Sequence, residues 1–119
     1  MLRTNPDPRL AVLVVWEPIQ PTDSEQAARR ATGLLPDPRV RQFWASDLTV
    51  GQLFQQPLGL RSEPAWDVYL LYEPGARWDP DRPPPPPRSY MHQLWALPKA
   101  RLLDGKRMGR EVGELLSES

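Results

Sequence analysis

The sequence predicts an α/β domain in the order β-α-β-α-β-β-α, a four-stranded mixed sheet with helices on both faces. Three observations carry this. Residues 10–16 (LAVLVVW) form a continuous, β-branched apolar run, the pattern of a strand covered on both sides. Residues 66–72 (WDVYLLY), apolar and aromatic apart from Asp67, read as another strand. Elsewhere apolar positions recur at helical spacing, most clearly near the C-terminus, where Met108, Val112, Leu115 and Leu116 make one stripe. A βαβ unit, a ββ pair and a closing helix together complete such a sheet, with a right-handed first crossover.

The elements follow in order. Glu17 and Pro18 end the first strand. Thr22 and Glu25 have capping-box spacing, so a helix starts between Thr22 and Ser24. It turns Ala27, Ala28, Ala31, Leu34 and Leu35 inward and stops at Pro36. Residues 40–44 (VRQFW) read as the second strand. Ser46 or Asp47 caps a second helix, residues 48–56, with Leu48, Leu53 and Phe54 facing inward and Pro57 as its stop. Thr49, Val50 and Gly51 lower its propensity. Within the third strand Asp67 needs an edge position or a backbone partner. Residues 90–95 (YMHQLW) alternate as a fourth strand, and residues 104–117 form the last helix. Gly109 and Gly113 lie four apart on that helix. Each costs ~1 kcal/mol against Ala, which close packing on the sheet would explain.

Composition bounds the function. The 119 residues fit one domain, 1–119, interrupted by a proline-rich loop at 74–89. A hydrophobic content of 39 % with five Trp is that of a globular chain, although 16 prolines are many. Fifteen basic residues balance fifteen acidic ones, which gives no field to attract nucleic acid or anionic lipid. The absence of cysteine excludes disulfides, thiol nucleophiles and Cys-ligated metals. Residues 10–16 fall far short of the ~20 apolar residues of a membrane helix. Pro6, Asp7 and Pro8 stand where a signal peptide needs basic residues. A cytoplasmic protein with no cofactor is the expectation.

Two stretches resemble the thioredoxin-like superfamily. Val14, Val15 and Trp16 end an apolar strand as the family's Phe-Trp-Ala stretch does, and a helix follows. The family's Cys-x-x-Cys positions then fall at Gln20 and Asp23, so Gln20, Pro21, Thr22 and Asp23 replace the redox motif. Before the third strand, Gly59, Leu60, Arg61, Ser62, Glu63, Pro64 and Ala65 resemble the family's segment that carries a cis-proline. The resemblance implies a cis Glu63–Pro64 bond facing the junction at Gln20 and Asp23. Thiol–disulfide oxidoreductase activity is ruled out by the missing thiols. The family's buried acid would fall at Val14, and its tight turn between the last two strands is here residues 73–89.

Other features carry less. Thr22 or Asp23 is worth ~1 kcal/mol as a helix cap, and an aspartate there repels an anion. His92 is the single histidine and shares a strand face with Tyr90 and Leu94, which reads as structural; Ser89 and Asp104 are only loose neighbours. One histidine and scattered carboxylates offer no metal spacing. Glu73, Asp79 and Asp81 read as solvated loop charges. RPPPPPR at 82–88 favours a polyproline II rod, read first as a stiff spacer. Trp16, Trp44, Trp66 and Trp95 belong with the strands and the core; Trp78 either anchors a partner or folds back. The expectation is a redox-inactive, thioredoxin-like module that binds a protein or peptide through Gln20, Pro21, Thr22, Asp23, Arg61, Glu63, Pro64 and Trp78. In the family, the groove beside the cis-proline pairs with extended peptide. The alternatives are a thiol-free enzyme that binds a small anion beside Arg61, or a scaffold read through its polyproline loop.

Overall fold

A computed structural model describes residues 2–18, 24–31, 33, 36–61, 63–79 and 82–118. Within them the chain is an α/β protein built on two two-stranded sheets. The elements are β1 (Val12–Trp16), α1 (Glu25–Ala31), β2 (Val40–Trp44), α2 (Thr49–Leu53), α3 (Gln55–Leu58), β3 (Val68–Leu71), β4 (Ser89–His92), a 3-10 turn (Lys99–Arg101) and α4 (Gly105–Ser117).

β1 and β2 run parallel, with Val12 opposite Val40 and Trp16 opposite Trp44. β3 and β4 are antiparallel, with Val68 opposite His92 and Leu71 opposite Ser89. The expected single four-stranded sheet is thus two separate pairs. Two contacts explain the separation. The segment after β4 turns back along it, where Leu102 bridges His92 and the Leu103 N–H donates to the His92 carbonyl (2.9 Å). β1 reaches the segment before β3 through α2 instead of through a backbone ladder. The Gly51 N–H donates to Glu17 Oε1 (2.6 Å), and the Ala65 N–H donates to the Gly51 carbonyl (2.9 Å).

The helix ends follow local chemistry. Ser24 Oγ accepts from the Ala27 N–H (3.0 Å), so Ser24 caps α1. Asp104 caps α4 by accepting from the N–H groups of Lys106 and Arg107 (3.0 and 3.1 Å). Pro57 does not stop the second helical stretch. It lies in the first turn of α3, where no intrahelical donor is needed, and the chain leaves that turn at Gly59 in the left-handed region (φ 76°).

The core surrounds β3–β4. On one side lie Phe54, Leu58, Leu60, Ala65, Leu94 and Leu97. On the other, α4 sets Met108 and Val112 against Met91, which is fully buried. Gly109 and Gly113 face the N-terminal arm and not the sheet. A Cβ on Gly109 would stand 3.4 Å from Thr4 Oγ1, and one on Gly113 3.3 Å from Asn5 Oδ1. The fourth strand ends at His92, so Trp95 leaves the sheet and is completely exposed; Trp16, Trp44 and Trp66 are half-buried. Asp67 sits just before β3 at φ 50°, a conformation that aspartate tolerates better than most residues, and its carbonyl accepts from the Gln93 N–H (3.1 Å). Among the described residues no helix is long and apolar enough to cross a membrane.

Candidate functional site

Gln20, Pro21, Thr22 and Asp23 lie outside the described residues. The Glu63–Pro64 bond is trans, because no peptide bond among the described residues is cis. The residue-level feature expected from the thioredoxin-like resemblance is therefore absent at Pro64. The segment is fixed by hydrogen bonds instead. Gln55 Nε2 donates to the Glu63 carbonyl (2.7 Å), and Ala65 is tied to Gly51 as above.

Gly51 does bring the Pro64 segment and the end of β1 together. Its buried backbone bonds Glu17 on one side and Ala65 on the other. A side chain would not fit, since a Cβ would lie 2.6 Å from the Ala65 carbonyl oxygen. Burial pushes the Glu17 carboxyl above its usual range and Asp47 adds to that, while the Gly51 N–H opposes it. Arg61 is exposed and stands apart from this junction's hydrogen bonds. Trp78 folds back in part. It stacks edge-on against Phe54 (5.1 Å between centroids) and Tyr72 (5.8 Å), and 47 % of it stays exposed.

The proline tract is likewise docked. Pro84 is buried, and the Tyr72 hydroxyl donates to the Pro85 carbonyl (2.8 Å). Burial raises the Tyr72 hydroxyl above its usual pKa, and a bond from Trp78 opposes the rise. Carbonyls are the natural handles on such a rod, because proline has no N–H.

Two features were missed by the sequence reading. The first is the outer face of β1–β2. Leu13 is 59 % exposed and Phe43 52 %, Val15 is exposed too, and Arg41 sits opposite Leu13. The opposite face carries the half-buried Val12, Val14, Trp16, Val40, Gln42 and Trp44, with Trp16 Nε1 donating to Gln42 Oε1 (3.0 Å). The alternation in VRQFW was the available signal. The unbroken apolar run of β1 hid it.

The second is a polar pocket of about 340 Å³ between the start of β4, the 3-10 turn and α4. Arg88, Arg101 and Arg107 line it, together with Ser89, Glu111 and Glu114. Arg88 pairs with Glu118 and Glu73. Arg107 pairs with Glu111 (3.3 Å) and donates to the Ala100 carbonyl (2.8 Å). Ser89 Oγ donates to Glu111 Oε2 (2.9 Å). Arg101 lies 5.4 Å over the Tyr90 ring and 3.4 Å from Ser89 Oγ.

His92 fixes the 3-10 turn that carries Arg101. Its Nδ1 accepts from the Leu94 N–H (2.9 Å), so Nε2 holds the proton and donates to the Pro98 carbonyl (2.6 Å). The same carbonyl accepts from the Arg101 N–H (3.0 Å). Both ring nitrogens are occupied, and His92 is a positioning residue, in keeping with the structural role expected of a lone histidine without a catalytic partner. Among the described residues no group of three His, Cys, Asp or Glu side chains gathers to hold a metal.

No known protein family, curated protein or solved structure matches the chain.

Proposed function

We propose that the chain is a redox-inactive binding module whose partner is another protein, held on the outer face of β1–β2. The observation behind this is the bare face itself. Parallel strands normally have both faces covered by helices, yet here Leu13, Val15 and Phe43 face solvent side by side. A contiguous apolar patch rimmed by polar residues marks an interaction surface. The occupant that suits it is an amphipathic helix, the element that covers such sheets, with a carboxylate set against Arg41. The thioredoxin-like resemblance supplies the parallel strand–helix–strand start of this reading. It does not supply the peptide groove, which depended on a cis-proline.

Site-specific photo-crosslinking tests it. A photoreactive phenylalanine analogue at position 43 is expected to capture one partner in cells, joined through a helix with an acidic residue. Purified partner should then lose most of its affinity for Leu13→Ser and for Arg41→Glu. Cross-linking only to a second copy of this chain, or equal affinity for both variants, would overturn the reading.

A further inference from the structure

We propose that the pocket between β4, the 3-10 turn and α4 binds a small organic carboxylate, with the Arg101 guanidinium as its main contact. Arg88 and Arg107 are each neutralised by carboxylates, Arg88 by Glu118 and Glu73, Arg107 by Glu111. Among the described residues no carboxylate lies within the 4 Å of an ion pair from Arg101, whose side chain has only the 3.4 Å contact to Ser89 Oγ and the Tyr90 ring. It is half-buried and keeps most of its N–H donors uncommitted.

Geometry follows. The Tyr90 ring, 5.4 Å below, restrains the guanidinium, and the shared Pro98 carbonyl fixes the turn that carries it. A planar fork held in advance loses little freedom when it takes a carboxylate in bidentate fashion. About 340 Å³ is the scale of a small-metabolite site. Glu111 and Glu114 line the same space. These carboxylates penalise a phosphate dianion more than a singly charged carboxylate, which leaves the latter as the matching ligand. This site is separate from the β1–β2 face, and the two proposals stand or fall independently.

The test is an NMR titration of the 15N-labelled full chain with sodium lactate, and separately with sodium phosphate, at constant ionic strength. Lactate should give saturable shifts at the amides of Ser89, Tyr90 and Arg101. Arg101→Gln should abolish them, Arg101→Lys should weaken binding about ten-fold or more because the fork is lost, and Arg110→Gln, on the outer side of α4, should leave it unchanged. The spectra also report whether each variant is folded. Tighter binding of phosphate than of lactate overturns the carboxylate assignment. Shifts that rise linearly without saturation, or that persist in Arg101→Gln, overturn the site.

Discussion

β1–β2 and β3–β4 are two-stranded pairs of nearly equal length, yet they are held in different ways. β3–β4 lies between two apolar clusters, with α2 and α3 on one side and α4 on the other. β1–β2 adds no fully buried side chain to either cluster and leaves one face bare. It is fastened by polar contacts. Arg39 donates to the carbonyls of Leu2, Asn5 and Asp7 and pairs with Asp37, and Glu17 holds Gly51. One half-buried face with polar fastenings is therefore enough for a strand pair. Burial on both faces turns such a pair into a core.

One truncation on each sheet separates the two modes of attachment most directly. Met91→Ala should cost about 2–5 kcal/mol in urea unfolding, since it empties a fully buried site. Leu13→Ala should change stability by less than about 0.5 kcal/mol. Equal losses would mean that the face of β1–β2 is covered in solution by the chain itself.

Next in size is His92→Leu, expected to cost about 1–3 kcal/mol because the Leu94 N–H is left unpaired in a buried place. It should also release the 3-10 turn, visible as faster hydrogen exchange at Arg101. Gly51→Ala should cost a similar amount, about 1–3 kcal/mol, by driving a methyl against the Ala65 carbonyl. Its effect on exchange should concentrate in β1 and α2 and spare β4. Uniform loosening would show that the strap at Gly51 serves the whole fold.

The smallest effect sharpens the contrast through pH. Bonds from the Arg39 side chain and backbone hold Asp37 at about 2, well below its ordinary 3.8, and bonds from Arg9 do the same for Asp7. A folded pKa below the unfolded value contributes stability above the unfolded pKa, which is lost as pH falls through the folded one. Acidification from about pH 4 to 2 should therefore loosen the N-terminal arm and β2 before β4, as read by residue-resolved exchange, and Asp37→Asn should remove much of that dependence. Glu17 has the opposite sign. Its raised pKa contributes stability below the ordinary 4.5 that is lost as pH rises through the folded value. Glu17→Gln should flatten the profile there.

Much of the fold was legible because local patterns decide it. VRQFW became β2 without change, and the stripe of Met108 and Val112 became the buried side of α4. The pairing of the sheets was not legible. It was inferred from the order of the elements, whereas nothing in LAVLVVW says which strand lies beside it. Gly51 was read as a weakness in a helix. Its reason is a close approach to Ala65, far along the chain, which propensity cannot register. Four of the eight expected site residues lie outside the described residues, Pro64 lacks the cis bond, Arg61 is exposed and takes no part in the junction's hydrogen bonds, and Trp78 is half-engaged with Phe54 and Tyr72. The pocket around Arg101 joins residues from four separate elements, β3, β4, the 3-10 turn and α4, so no local motif announced it.

Trp95 has a practical consequence. Its indole is 101 % exposed, while Trp16, Trp44 and Trp66 are half-covered and Trp78 leans on two rings. A hydrated indole emits at long wavelength whether the chain is folded or not. Trp95 should thus add a constant red component to the native emission, open to an aqueous quencher. It follows the buried Leu94 directly, three residues past the buried His92, and so serves as a built-in optical reporter for anything that settles over that turn.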